Sequence, residues 1–183
     1  LQGRDDGGAD AAGPVTEDLG AEGYVLTVGA GGVTVVAATE AWLYYGAQTL
    51  IQVIQQAGRR LPALRIADAP VLPNRGLMLD VSRSKVPTRE TLEKLVRRLS
   101  HYKYNQLQLY IEHTFASREH PSIAPDVGGL TPNDLLHLDA LCRQHHIDLV
   151  PNCQSLGHQR TMLENPRYAH LAETDWRWSF AST

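Results

Sequence analysis

Three short groups of polar residues could do chemistry in this sequence. The first is Asp80, Ser82 and Arg83, in L-D-V-S-R. The second is Glu112, His113 and Thr114, in Y-I-E-H-T. The third is Asn152, Gln154 and His158, in P-N-C-Q-S-L-G-H. Carboxylates beside histidines can move protons or orient one another, and amides with an arginine can hold the hydroxyls of a polar substrate. A plain turn needs Gly, Asn or Pro, not this density of hydrogen-bonding side chains.

Each group also has a structural reading. Asp80, at the end of an apolar run, can simply pair with an arginine or the backbone. Glu112-His113 can open a solvated loop, and His158 after Gly157 can cap a chain end. Zinc bound by His113, Cys153 and His158 is a further alternative, but neither an HExxH nor a CxxC spacing occurs. His145-His146 suits the carboxyl end of a helix. Tyr44-Tyr45 and Gln48-Thr49 read as packing groups on a helix in preference to a sugar-stacking platform.

What separates these readings is the set of elements that carry the residues. GLMLDV (76–81), NQLQLYI (105–111) and the run from Ile147 to Val150 are strands. Between them, helices are expected from Arg89 to about Tyr102, capped by Thr88, and from Pro132 onward, capped by Thr131. A last helix is expected over Arg160–Leu171, interrupted by Pro166. This β-α-β-α-β-α order argues a parallel sheet, either doubly wound or the start of a (β/α)8 barrel. In both architectures ligands sit at the carboxyl ends of the strands, where all three polar groups fall. No glycine-rich phosphate loop follows the first of these strands, which lowers the nucleotide-binding alternative.

The first part of the chain is built differently. YVLTV (24–28) and VTVVAA (33–38) flank Gly29-Ala30-Gly31-Gly32, the pattern of a hairpin. Thr39 caps a helix carrying Leu43, Ala47, Leu50, Ile51 and Ile54, and Gly58 ends it. Leu64 to Ala67 is a short strand, and Pro70 and Pro73 mark a junction. Residues 1–21 are rich in Gly, Ala and Asp and are expected to be loop or disordered.

The 183 residues suit one large domain or two small ones. A hydrophobic content of 43% supports a sizeable core, and a net charge of −3 gives no reason to expect nucleic acid or an anionic membrane. No run approaches the roughly 18 to 20 apolar residues that span a bilayer. Cys142 and Cys153 make no disulfide framework and leave the compartment open.

Several segments together resemble glycoside hydrolase family 20, the β-N-acetylhexosaminidases. EGYVLTVGAGGVTVVAATEAWLYYGAQTLIQVI resembles the small domain that precedes the family's barrel. RGLMLDVSRSKVPTRETLEKLVRRLSHYKYNQLQLYIE is similar to its first barrel strand, first helix and second strand, and PNCQSLGH to the end of its third strand. The resemblance implies an α/β fold: a small α+β domain over residues 22–70, then a partial (β/α)8 TIM barrel, its first three β/α units, over 71–183. It implies a carbohydrate substrate ending in N-acetylhexosamine, no metal and no organic cofactor.

Carried over by residue, the resemblance implies that Arg75, in R-G-x-x-L-D, binds sugar hydroxyls, although it opens its strand. His158 supports the acid/base residue. Where the family's second strand ends in an Asp-containing motif, Y-I-E-H-T-F stands here, which marks a divergent branch and leaves Glu112 and His113 as alternatives for that role. The expected site is therefore His158, Glu112 and His113 for catalysis, with Arg75, Asp80 and Asn152 for substrate. The family's adjacent Asp-Glu pair, which protonates the leaving oxygen and orients the substrate's acetamido group, occurs nowhere in the chain. The chain is accordingly expected to be the amino-terminal fragment of a longer enzyme, inactive alone and prone to self-association through exposed strand edges. The alternative is a non-catalytic carbohydrate-binding or interaction protein on the same scaffold.

Overall fold

Ala30 and Gly31 reverse the chain between β1 (Tyr24–Gly29) and β2 (Gly32–Ala37), which pair antiparallel with Gly29 opposite Gly32. Gly32 has φ of +117°, a conformation that residues with a Cβ rarely adopt. The computed structural model describes residues 22–83, 85–124 and 128–173. The loop expected over residues 1–21 lies outside them. The chain divides into two compact units: one runs to Arg75 and includes Leu99–Lys103, and the other comprises Gly76–Arg98 and the residues from Tyr104 onward.

In the first unit, β3 (Leu64–Asp68) pairs antiparallel with β1, giving the order β2-β1-β3. Helix α1 (Glu40–Ala57) begins at Thr39, whose hydroxyl accepts from the Trp42 N–H, and ends at Gly58 with φ of +69°. Period-two alternation places Tyr24, Leu26 and Val28 in one core with Trp42 and Tyr45 of α1. Gly46 lets the helix approach the sheet, because a Cβ there would meet the side chains of Val35 and Tyr24. Tyr45 is buried and the Tyr44 hydroxyl lies 2.6 Å from Ser100 Oγ, so both tyrosines serve packing, as read from the sequence. Lys103 Nζ donates to the Tyr24 hydroxyl and to Asp68 Oδ2, each at 2.7 Å.

In the second unit, β4 (Gly76–Asp80), β5 (Gln106–Ile111) and β6 (Asp148–Cys153) form a parallel sheet in that order. Helix α2 (Arg89–His101) connects the first two, and α3 (Pro132–Gln144) the last two. Thr131 and Asp134 close a reciprocal capping box at the start of α3. Leu107, Leu109 and Ile111 of β5 are buried, as are Leu92 and Val96 of α2 and Leu138, Leu141 and Cys142 of α3. Burial pushes the Cys142 thiol up to about 12, so it packs as an inert apolar group. Both cysteines are free.

Two boundaries differ from expectation. β6 does not stop at Val150 but continues through Pro151 to Cys153, pairing Leu109 with Pro151 and Tyr110 with Asn152. Proline is tolerated because β6 pairs on one side only among the described strands, so its missing N–H breaks no ladder bond. The helix expected over Arg160–Leu171 is two short pieces, α4 (Arg160–Leu163) and a 3₁₀ turn (Ala169–Leu171), with Pro166 between them. No helix among the described residues is long and apolar enough to cross a membrane.

Candidate active site

The parallel register puts Asp80, Tyr110 and Asn152 in one row across β4, β5 and β6, so these three share a face of the sheet. Glu112 lies two residues beyond Tyr110, where the period of two favours the same face. The row is at the carboxyl ends of the strands.

Asp80 is held from two directions. Its Oδ1 accepts from the Ser82 N–H at 2.9 Å and its Oδ2 from Arg83 Nε at 2.6 Å. The Ser82 amide and the Arg83 guanidinium together hold this carboxyl below its ordinary range. Arg83 in turn lies 5.0 Å over the Tyr110 ring, and its Nη1 is 3.8 Å from Glu112 Oε1. Glu112 is almost enclosed, with 12% of its side chain exposed. Its Oε1 accepts from the Tyr110 hydroxyl at 2.9 Å and faces His158 Nδ1 at 3.3 Å. Below it, the buried Ser82 hydroxyl accepts from the Glu112 N–H at 2.6 Å and donates to the Tyr110 carbonyl, with Thr114 Oγ1 at 3.5 Å. His158 reaches this carboxylate from the loop after β6. It has φ of +57°, unusual for a residue with a Cβ, and the Gln159 amide closes the loop onto the Gln154 carbonyl.

Of the residues expected from sequence, the structure thus brings together Asp80, Glu112 and His158, with Asn152 in the same row. His113 is half-buried and makes none of these contacts among the described residues. Arg75 lies apart from this cluster. It precedes β4, at the amino end, and belongs to the first unit. Its Nε donates to the Lys103 carbonyl at 2.7 Å, its Nη1 to the Leu72 and Pro73 carbonyls, and its guanidinium lies over Trp42 and Tyr45. Those bonds commit the group to the chain itself. Sequence reasoning placed Arg83 at a strand end without carrying it into the expected site, and it did not single out Tyr110. The signals were available: Arg83 already stands at a strand end, and Tyr110 shares the period-two face of Glu112.

A separate apolar cleft of about 590 Å³ lies between α3 and β6, lined by Leu109, Ile111, Leu135, Leu149, Pro151 and Cys153 among others. It has no convergent set of polar groups and does not suit a sugar. No cluster of three or more His, Cys, Asp or Glu among the described residues could hold a metal ion.

Residues 4–69 match the model of glycosyl hydrolase family 20, domain 2. A β-hexosaminidase of Akkermansia muciniphila is 30% identical over 165 residues, covering 79% of this chain. The chain carries domain 2 of glycosyl hydrolase family 20 over residues 4–69. It is also 25% identical over 160 residues to a lacto-N-biosidase of Bifidobacterium bifidum, covering 87% of the chain. Among solved structures it is similar to a mutant β-hexosaminidase of Streptomyces plicatus in complex with its product GlcNAc. That likeness has a TM-score of 0.68 at 28% identity and covers 84% of this chain and 34% of the other. The chain spans 33% of the Akkermansia protein and 14% of the Bifidobacterium protein.

Proposed function

We propose that this chain is the amino-terminal part of a glycosidase that removes a terminal N-acetylhexosamine from a glycan with retention of configuration. Its three β/α units open a (β/α)8 barrel, and the cluster on the carboxyl ends of β4, β5 and β6 is one wall of the sugar pocket. The single observation that carries the reading is the convergence of Arg83, Tyr110 and His158 on one oxygen of the nearly enclosed Glu112 side chain.

In this reading Arg83 takes the hydroxyl-binding role that the sequence suggested for Arg75. Its Nε and Nη2 are both engaged by Asp80, and Nη1, 3.8 Å from Glu112 Oε1, is the guanidinium nitrogen left for a hydroxyl. Asn152 supplies an amide to the same face. Glu112 faces His158 Nδ1 at 3.3 Å, a pairing that orients the imidazole and leaves Nε2 for the acid/base group. Glu112, not His113, thus fills the place of the family's aspartate. The proton donor to the leaving oxygen and the carboxylate that orients the substrate's acetamido group come from the Asp-Glu pair of the rest of the enzyme.

The test is a kinetic assay of the intact protein with chromogenic N-acetylglucosaminide and its galacto epimer. Turnover that Arg83→Ala and His158→Ala each suppress at least about tenfold, with folding intact, supports the pocket. Binding of the sugar without turnover by the intact protein would instead favour a non-catalytic carbohydrate-binding protein.

A further inference from the structure

We propose that Tyr110 is a positioning residue of this site: its hydroxyl holds the Glu112 oxygen that faces His158, while its ring packs against both Arg83 and His158. The proposal deepens the sugar-pocket reading, but the contacts behind it stand without a sugar.

His158 needs an anchor from outside its own loop. It sits in the left-handed region and is 56% exposed, so its backbone and immediate surroundings restrain the imidazole little. The restraint is Glu112, whose Oε1 lies 3.3 Å from Nδ1. Glu112 itself must be fixed for that contact to set a direction. Arg83 is a weak candidate for this task, since it stands 3.8 Å away and is committed to Asp80 at 2.6 Å. The shortest bond to that oxygen comes from Tyr110, at 2.9 Å.

The geometry of β5 explains why. Tyr110 and Glu112 are two residues apart, so both side chains leave the strand in the same direction and the phenol can reach along the sheet to the carboxylate. Burial, together with the hydrogen bond and charge of Glu112, raises the phenol above its ordinary range, so it remains a donor. The ring does the rest. The Arg83 guanidinium lies over its face at 5.0 Å, and the His158 imidazole meets it edge-on at 6.4 Å and 82°. One side chain therefore touches the proposed sugar-binding arginine, the supporting carboxylate and the histidine.

The test is a double-mutant cycle, Tyr110→Phe against Glu112→Gln, in the intact protein. Phenylalanine keeps the ring and removes one oxygen. The first readout is the imidazole ¹⁵N resonances of His158 at fixed pH, assigned by their loss in His158→Ala. Tyr110→Phe is expected to move the Nδ1 resonance when Glu112 is present and to leave it in place in the Glu112→Gln background. The second readout is kcat/KM on the chromogenic N-acetylglucosaminide. Tyr110→Phe is expected to lower it about tenfold alone, the loss of one hydrogen bond to a charged group, with no further loss on top of Glu112→Gln. Equal effects in both backgrounds, or no resonance change in either, overturn the proposal, because a packing role does not depend on Glu112. If the intact protein turns over no N-acetylhexosaminide, the sugar reading fails and the resonance cycle still decides the role of Tyr110.

Discussion

Two arginines eight positions apart, Arg75 and Arg83, bracket β4, and they are put to different uses. Arg75 donates to three carbonyls and lies over two rings of the first unit. Arg83 pairs with Asp80 and borders Glu112. Arg75→Ala is expected to lower the melting temperature by several degrees, through loss of its bonds to three backbone carbonyls and its packing over Trp42 and Tyr45, with kcat/KM of the remaining folded protein nearly unchanged. Arg83→Ala is expected to do the reverse: little change in melting temperature, since its side chain is 57% exposed, and a fall in kcat/KM of at least about tenfold. Thermal melts and sugar kinetics on the same two variants separate the roles. Equal kinetic losses in both would remove the distinction.

At the scale of elements, the joint of β1, β3 and the residues after α2 depends on charge. Burial alone would raise the Asp68 carboxyl, but hydrogen bonds from Lys103 and Tyr24 outweigh it and hold the group below its ordinary range. The sign follows. A carboxyl whose folded pKa is depressed stabilises the fold above its unfolded pKa, near 3.9, and that stability is lost as pH falls through the folded value. Asp68→Asn is expected to cost about 1 kcal/mol at neutral pH, a modest sum because Asp68 is 40% exposed, with the deficit vanishing in acid. Urea unfolding at pH 7 and pH 3 checks both halves. A second element-scale constraint lies at Gly129, where a Cβ would run into the Thr114 carbonyl. Leu130 donates to that same carbonyl at 2.8 Å, and Thr114 lies beside Ser82 beneath Glu112. Gly129→Ala is therefore expected to destabilise by about 1–3 kcal/mol, measured by denaturant unfolding.

For the molecule as a whole, what matters is which surfaces are left open. Among the described strands, β4 and β6 each pair only with β5, so both carry an unpaired edge. The apolar cleft between α3 and β6 borders one of these edges. Within the first unit, Leu43, Ile51 and Ile54 of α1 are each more than 40% exposed. Unpaired strand edges beside apolar surface favour pairing with another copy. The chain on its own is expected to associate as its concentration rises from micromolar to hundreds of micromolar, seen by sedimentation velocity. A monomer across that range would contradict it.

The order of residues by itself determined the local elements and the end of the sheet where the polar groups gather. Alternation in YVLTV and NQLQLYI, the spacing of Leu92, Val96 and Leu99, and the caps Thr39, Thr88 and Thr131 are local signals, and local hydrogen bonding and burial obey them. The grouping of Asp80, Glu112, Asn152 and His158 at strand ends was equally legible, because successive parallel strands must present their carboxyl ends together. Tertiary structure decided the rest. Pro151 reads as a stop in sequence, yet β6 runs through it because pairing with β5 continues on the side where no proline N–H is required. Arg75 and Arg83 are alike in type, and only their partners separate them: backbone carbonyls and two rings for Arg75, Asp80 and Tyr110 for Arg83. Glu112 and His113 are neighbours, and only the contacts with Tyr110 and His158 distinguish Glu112 from His113. Side-chain partners belong to distant residues, and one residue's position along the chain does not specify them.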